Sequence, residues 1–415
     1  MKRTVSICLC LGILSAAMAA GAESPSVLRK QLFEAVLRHD DGAIAKLRAE
    51  TVAALGAQAG IPESGLRKNE PIDTSLPDLA LVQARWTNGL QTLRGHYPWQ
   101  ALSGDKRPRS RAVGRWVRAL CLARAADVGD AHEALQQGAD YLLSIQGGNG
   151  VFGYAVPAAG DHGKLAESAR HLIGEMEKRG VKAVENGYIV QDRGTGDLNF
   201  DNGEAAMALL AAYSSTGHAA WLEAAKRAAE WGVRQPLVPN WNYNCFHGWL
   251  AARLYRITQE QRYLDAAFAL IRYGSLAGQM DDGNWFDAHN ASTQYRAVMI
   301  RACLELHLAL KGTAHPYAAE LEMRTRLAVD SLARHTLEWG GDAAKAWEAL
   351  PVDAFSLALM TFGSAPLWER ALNVEVNGVL ALRNHPLPES MATYLLYRAG
   401  RQEPIVPANG TARHA

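Results

Sequence analysis

The sequence lacks the short motifs that mark the commonest nucleotide, metal and nucleophile sites. It has no phosphate-binding P-loop, no glycine fingerprint of a dinucleotide-binding fold, no GxSxG nucleophile elbow and no HExxH zinc motif. Nucleotide-dependent, serine-hydrolase and zincin chemistry are therefore excluded, and we expect no cofactor.

Cysteine is scarce, with five residues in a chain of 415. Cys8 and Cys10 lie in an apolar leader, and Cys121, Cys245 and Cys303 are far apart, without CxxC or metal-ligand spacing. At most one disulfide can form, and one thiol must be left over. A chain of this length must therefore be held together by hydrophobic burial.

The chain also has no excess of charge of either sign, since it contains 43 basic and 42 acidic residues.

A secretory signal peptide is predicted over residues 1–22 from the start "MKR", the apolar run "TVSICLCLGILSAA" and the small residues up to Ala22. This run is too short to span a membrane. Its removal takes two basic residues and leaves a net charge of −1. We expect a periplasmic or secreted protein with no membrane span and no nucleic-acid partner, and the oligomeric state is left open.

Helical segments recur in pairs from about residue 110 onward. Each pair joins an almost wholly apolar helix to an amphipathic one, and Tyr213 and Tyr255 occupy equivalent positions 42 residues apart. A helix–turn–helix repeat of about 42–44 residues predicts an all-α fold, an incomplete or closed α/α toroid. We expect a helical arm and loop over residues 23–80, the toroid over residues 81–400 and a flexible tail over residues 401–415.

Four long loops rich in Gly, Asn and aromatic residues distinguish this chain from uniform helical arrays. They cover residues 147–163, 186–203, 236–249 and 277–295. Long ordered loops in a compact domain usually carry function. Because each precedes an apolar first helix, we expect all four to open on the same end of the toroid and to form one cleft.

The stretch "WFDAHNASTQYR" runs from Trp285 to Arg296 and crowds polar groups before an apolar helix. Asn290 and Ser292 suit helix capping, and Asp287 suits the helix dipole. Capping leaves other polar groups of the stretch unexplained, so the sequence offers His289, Tyr295 and Arg296 as site candidates as well as surface residues.

The stretch "NWNYNCFHGW" runs from Asn240 to Trp249 and combines aromatic rings with amides. Trp241, Tyr243 and Asn244 suit the C–H faces and hydroxyl rim of a sugar, and they equally suit loop anchoring. His247 falls in the first helical turn, where it is either a core histidine or a base in the cleft.

The stretch "DRGTGDLNFDNGEAA" runs from Asp192 to Ala206 and brings carboxylates to a helix start. Asp201 is either the N-cap of that helix or a carboxylate facing the cleft. The alternative to a site without a cofactor is a calcium site. This loop and "DDGNWFD" carry carboxylates, but they lack the spacing of an EF-hand.

Two segments resemble α/α-toroid polysaccharide lyases. "DNGEAAMALLAAYSSTGHAAWLEAA" is similar to the repeat of toroid pectate lyases, in which Asp-Asn-Gly opens an apolar helix, and this implies that Asp201 lies at a substrate and calcium cleft. The second calcium aspartate of that family has no counterpart in "NYN". "AHNASTQYRAVMI" resembles the Tyr-His-Asn segment of alginate lyases, which implies site roles for His289 and Asn290. Asn244 and His247 loosely match the earlier Asn–His pair of that family.

The leading hypothesis is a polysaccharide lyase that cleaves an acidic, uronic-acid polymer by β-elimination. Such a reaction needs a group that neutralises the carboxylate, a base for the C5 proton and an acid for the leaving oxygen. The loops offer Arg296, Asn244 and Asn290 for the first task, His289 or His247 for the second, and Tyr295 or Tyr243 for the third, with Trp241, Trp285 and Asp287 as further substrate-binding candidates.

Two alternatives remain open. A glycoside hydrolase of the six-hairpin type needs two carboxylates about 5–10 Å apart, for which Asp201 pairs with Asp287 or Asp282. A non-catalytic carbohydrate-binding envelope protein needs the aromatic side chains but no base.

Overall fold

The computed structural model describes residues 23–66, 72–95, 107–129, 131–341, 349–382 and 388–406. The predicted leader therefore lies outside the described residues, as do residues 407–415 of the predicted tail. The chain divides into two compact units, Met1–Ala59 and Gly60–Ala415. Residues 60–80, which the sequence assigned to the arm, belong to the larger unit.

The smaller unit is a helical hairpin of α1 (Pro25–Leu37) and α2 (Asp41–Leu55), followed by a 3₁₀ turn at Gly56–Gln58. Pro25 starts α1 at a position where no backbone donor is needed. Asp40 caps α2 by accepting a hydrogen bond from the Ala43 backbone N–H at 3.0 Å. α1 buries an apolar stripe against α2, formed by Leu28, Leu32, Ala35 and Val36.

The larger unit contains the remaining described helices and three very short strands. In chain order these are α3 (Leu79–Gly95), α4 (Ser110–Ala125), α5 (His132–Ile145), β1 (Tyr154–Ala155), α6 (Lys164–Lys178), β2 (Val184–Glu185), β3 (Tyr188–Ile189), α7 (Asp197–Thr216), α8 (Ala219–Gly232), α9 (Trp241–Thr258), α10 (Gln261–Arg272), a 3₁₀ turn (Leu276–Gly278), α11 (Thr293–Leu310), α12 (Ala318–Trp339), α13 (Leu350–Phe362), α14 (Pro366–Ala381) and α15 (Pro388–Arg398). The strands pair antiparallel in the order β1-β3-β2. The prediction of an all-α fold is confirmed.

Six of these helices pack in a cycle that closes on itself. α4 packs against α7, α7 against α9, α9 against α11, α11 against α13, α13 against α15, and α15 against α4. A second helix covers each of them, namely α5, α8, α10, α12, α14 and α3 in the same order. We call the first six the inner ring, and this cyclic order is the one that an α/α toroid requires.

The sequence pattern explains which helices are inner. α7 has buried residues almost throughout its length, whereas α10 buries only one stripe, from Tyr263 and Leu264 to Leu270 and Ile271. Close approach between inner helices needs small residues. A β-carbon on Gly114 of α4 would lie 3.0 Å from the Glu204 carbonyl oxygen of α7.

The inner helices begin at a common end. A short turn and an outer helix follow an inner helix and bring the chain back, so successive inner helices run in the same direction. We call the end at which they begin the mouth. The predicted convergence of four loops needs one correction. The loops at residues 147–163 and 186–203 belong to a single connection between α5 and α7, and the helix between them, α6, is not an inner helix.

The ring is held by burial rather than by disulfides. Cys121, Cys245 and Cys303 are free thiols in the core, and burial raises the pKa of Cys121 and of Cys245 to about 12. Among the described residues, none of the helices combines the length and the apolar character needed to cross a membrane.

Charged side chains meet inside the inner ring. Arg301 of α11 contacts Glu204 of α7, which is not its neighbour in the cycle, with Nη2 and Oε1 2.9 Å apart. Arg118 and Arg301 also lie over the Trp249 ring, at 4.9 and 4.3 Å from its centroid. We call the buried set the axial ladder; it consists of Arg118, Arg253, Arg301, Glu204, Glu305, Asp353, Glu389 and Glu403.

Candidate functional site

Asp201 and Arg111 form an ion pair at the mouth. Arg111 Nη1 lies 3.5 Å from Asp201 Oδ2, and the Arg111 side chain is 20% exposed while the carboxylate is buried. Ser110 Oγ lies 2.6 Å from the Gly153 carbonyl oxygen, to which it donates its single proton, and 3.3 Å from Asp201 Oδ1. The Arg111 guanidinium covers the Phe200 ring at 4.4 Å from its centroid. Burial raises the pKa of Asp201, and the charge of Arg111 acts in the opposite direction.

Asp201 is not the N-cap of α7, because that helix begins four residues earlier at Asp197. Its place in the second turn points its carboxylate at α4 instead. The loop before α7 is organised by Asp192. Its Oδ1 accepts hydrogen bonds from the Gly194 and Thr195 backbone N–H groups at 2.6 and 2.8 Å, and its Oδ2 accepts one from Leu198 at 3.0 Å.

His289 and Tyr295 pack ring against ring near the start of α11. Their ring centroids are 4.3 Å apart with an interplanar angle of 30°. His289 Nδ1 lies 3.7 Å from Glu63 Oε1, and the imidazole is 36% exposed. Its other nitrogen, Nε2, is shielded from solvent and has no hydrogen-bond partner among the described residues. The stack therefore places an imidazole and a phenol at the start of α11.

Tyr243 completes the group at the mouth. It lies half-buried in the first turn of α9, and burial raises its pKa, as do the charges of Asp197 and Tyr295. Burial likewise raises the pKa of Tyr295. The positive charge of Arg111 opposes both shifts, so the guanidinium lies within electrostatic range of both phenols. The first two turns of the inner helices thus carry three sequence candidates, Asp201, Tyr243 and Tyr295, on which the charge of Arg111 acts, and His289 joins them through its ring contact with Tyr295.

His247 lies in the core rather than in a cleft, with 1% of its surface exposed. Asn202 uses its carbonyl oxygen to accept from the Phe152 N–H at 2.9 Å, so its amide nitrogen donates to His247 Nε2 at 3.1 Å. This acceptor role requires an unprotonated Nε2. Burial lowers the pKa of His247 to about 3, and the ring packs edge-on against Trp231. His247 is therefore a structural histidine.

Asn244 serves the backbone of its own loop. Its Oδ1 accepts from the Val238 N–H at 3.0 Å, and its Nδ2 donates to the Val238 and Gly274 carbonyls at 2.9 and 2.7 Å. Both N–H donors of this amide and its oxygen thus bond to the main chain. The residue clamps the loops before α9 and after α10 instead of facing a sugar.

Asn290 joins the starts of α9 and α11. Its Oδ1 accepts from the Asn242 backbone and side-chain N–H groups at 3.1 and 2.8 Å, and its Nδ2 donates to Asp287 Oδ1 at 2.9 Å. Asp287 also accepts the Asn290 backbone N–H at 2.9 Å. Ser292 is the N-cap residue of α11, without a side-chain capping bond. Asn290 and Asp287 therefore build the loop that presents His289.

The two tryptophan candidates are core residues. Trp285 is fully buried, and its indole N–H donates to the Ser275 carbonyl at 3.0 Å. Trp241 packs edge-on against Phe286, with ring centroids 6.2 Å apart. Arg296 is also buried, beneath the mouth, where its charge acts on His335. None of the three presents a surface to a ligand.

Sequence reasoning missed Arg111 and Tyr154. Arg111 belongs to the basic run "KRPRSRAVGR", which leads into the first turn of α4 and is the signal that could have found it. Tyr154 lies on β1, half-buried, and burial together with Asp197 and Asp192 raises its pKa to about 12. Its ring packs against the apolar cluster of Val151, Val190, Leu198 and Trp231, which no local sequence pattern predicts.

Among the described residues, no group of three or more His, Cys, Asp or Glu side chains is placed to hold a metal ion. Comparison of the chain with known protein families, with curated proteins and with solved structures finds no match.

Proposed function

We propose that the chain is an exported enzyme that binds an acidic polysaccharide at the mouth and cleaves it by β-elimination. The observation that supports this best is the position of Arg111, whose charge acts on two half-buried tyrosines while its side chain keeps contact with solvent. Aromatic rings and a guanidinium together suit a uronic acid, which offers a flat C–H face and a carboxylate.

Each chemical task has a candidate side chain at the mouth. Arg111 pairs with the C6 carboxylate and so stabilises the carbanion that develops at C5. His289 accepts the C5 proton at Nδ1, since Nε2 is shielded from solvent. The C4–O bond then breaks as a double bond forms between C4 and C5. A tyrosine donates its proton to the leaving oxygen. Because burial raises the pKa of Tyr243 and Tyr295, both phenols hold their protons near neutral pH, as an acid must.

The hydrolase alternative has less support from the geometry. Asp287 already accepts two hydrogen bonds from Asn290. Asp201 is buried and paired with Arg111. A nucleophile or base for hydrolysis must be free to meet water or the sugar ring. Asp201 and Asp287 Oδ2 are shielded from solvent, whereas Asp282, the other candidate for the second carboxylate, is exposed.

A panel of polyuronates tests the proposal. Alginate, pectate and glycosaminoglycans would be incubated with the protein while the ultraviolet absorbance of the unsaturated uronide is followed. We expect absorbance to rise with one of these polymers. New reducing ends without absorbance would show hydrolysis instead, and binding without any new ends would show a carbohydrate-binding protein; either result overturns the lyase proposal.

Tyr295→Phe tests whether Tyr295 is the acid, with Tyr255→Phe as the matched control. Tyr255 is half-buried like Tyr295 but lies at the opposite end of an inner helix. Loss of a general acid or base lowers turnover by roughly 10²–10⁴-fold. We expect that loss for Tyr295→Phe alone. Equal activity of the two variants would remove Tyr295 from the reaction.

A further inference from the structure

The segment after α15 carries a buried carboxylate where the sequence predicts a flexible tail. The Glu403 side chain is only 6% exposed. Arg401 holds the segment in place, because its Nη1 donates to the Ala125 carbonyl at 3.0 Å and its backbone N–H donates to the Leu396 carbonyl at 3.2 Å. Ala125 is the last residue of α4. The segment therefore lies at the end of the inner ring opposite the mouth.

Two buried arginines from different inner helices converge on one oxygen of Glu403. Oε2 lies 2.9 Å from Arg253 Nη2 of α9 and 3.5 Å from Arg118 Nη2 of α4. The other oxygen, Oε1, is shielded from solvent and has no hydrogen-bond partner among the described residues. Burial alone would raise the pKa of this carboxyl, but Arg253 and Arg118 outweigh burial and lower the pKa to about 2. The carboxylate is therefore ionised inside the ring.

Glu403 reaches this place from outside the helical scaffold. Arg118 and Arg253 are fixed in mid-helix, and each also pairs with a carboxylate of an inner helix, Arg118 with Glu389 and Arg253 with Glu305. The third carboxylate comes from the segment that follows α15, five residues beyond Arg398, as a ligand would enter a preformed site. Its removal would leave both arginines buried next to an empty volume.

We propose that Arg118 and Arg253 form a carboxylate-binding site inside the ring, which the chain fills with its own Glu403 and which a small free carboxylate can fill instead. This site does not depend on the reaction at the mouth. Because Arg118 also binds Glu389, and Glu389 lies 3.2 Å from Arg301, occupancy of the site supports the axial ladder as a whole.

Chemical rescue tests the site. Glu403→Ala leaves a cavity and an excess of positive charge, and we expect its Tm to fall by roughly 5–10 °C. Formate or acetate should restore the Tm in a saturable manner, whereas chloride at equal ionic strength should not. Gln402→Ala is the matched control, because Gln402 is the exposed neighbour; it should behave like the parent with or without formate. In the double variant Glu403→Ala/Arg253→Met, formate should have no effect.

An unchanged Tm for Glu403→Ala overturns the proposal, and so does equal rescue by formate and chloride. If Glu403→Ala does not fold, Glu403→Asp and Glu403→Gln decide whether the site requires the negative charge or only the shape of the side chain. Aspartate keeps the charge and loses one methylene, while glutamine keeps the shape and loses the charge. The site requires Glu403→Asp to be the more stable of the two, and the reverse order contradicts it.

Discussion

Arg111 and Arg301 both reach from an inner helix to a carboxylate on α7, but their surroundings differ. Arg111 is 20% exposed and pairs with one acid, Asp201, at 3.5 Å. Arg301 is 1% exposed and contacts Glu204, Asp353 and Glu389, at 2.9, 3.5 and 3.2 Å. An ion pair with a carboxylate on α7 therefore does not by itself reveal the role of the arginine. A guanidinium that contacts three buried acids stabilises the fold, whereas one that is partly exposed to solvent can also bind a ligand.

Replacing Arg301 tests the structural side of this comparison. Arg301→Met removes the cation shared by three buried acids, and we expect the free energy of unfolding to fall by about 3–5 kcal/mol. Urea denaturation measures it. Arg262→Met is the control, because Arg262 is 56% exposed and its ion pairs with Glu230 and Glu260 lie at the surface; its effect should stay below about 1 kcal/mol. Similar losses of unfolding free energy in both variants would show that the buried ion pairs of Arg301 stabilise the fold no more than the surface pairs of Arg262.

The buried residue His247 should make the stability of the protein depend on pH. Burial lowers the pKa of His247 from its ordinary value of 6.5 to about 3. Between these values the unfolded chain binds a proton that the folded chain does not, so stability falls as pH falls from 6.5 to about 3. One group contributes a slope of at most about 1.4 kcal/mol per pH unit.

Denaturation curves across this pH range check the slope. His247→Gln should lower stability near neutral pH but flatten the decline on the acid side, since glutamine can accept from Asn202 without titrating. His162→Gln, at an exposed position, should leave the slope unchanged. An unaltered slope in His247→Gln would show that this histidine does not titrate differently in the two states.

Asn290 tests how the mouth is built. Asn290→Ala removes the bonds between the starts of α9 and α11 and leaves the Asn242 backbone N–H without its acceptor. We expect a loss of about 1–3 kcal/mol in the free energy of unfolding. Gln137→Ala is the control, because the Gln137 amide bonds Glu133 at the surface. Equal stability of the two variants would show that the buried amide bonds do not hold the mouth loops.

The smallest effect on stability is expected at His289. This imidazole is 36% exposed and stacks on a single ring, so His289→Ala should change the free energy of unfolding by about 0.5 kcal/mol or less. The same variant should lose turnover on the polyuronate that the protein cleaves. A large loss of stability would show that His289 is a structural residue like His247. Full activity of the variant would show that His289 takes no part in the reaction.

Much of the fold follows from local pattern. Apolar helices that alternate with amphipathic ones predict inner and outer partners, and the spacing of Tyr213 and Tyr255 is matched in the structure. The carbonyls of both tyrosines accept the helix-ending N–H groups, from Gly217 and Gln259. The roles of loop residues are harder to predict, because Gly, Asn and aromatic residues occur both where loops are bound to each other and where a ligand binds. That ambiguity explains why Asn244 and Trp285 looked like site residues.

By itself the sequence determined the all-α class, the helical pairs and the loops that carry polar groups, because these depend on periodicity and on turn residues close together in the chain. Only the tertiary structure decided which polar groups face solvent. His247 and His289 both lie close to the start of an inner helix, and nothing local separates them. Arg118 meets Glu403 across 285 positions, and Arg111 meets Asp201 across 90. Burial and charge pairing at such separations arise from the closure of the ring, which no local pattern encodes.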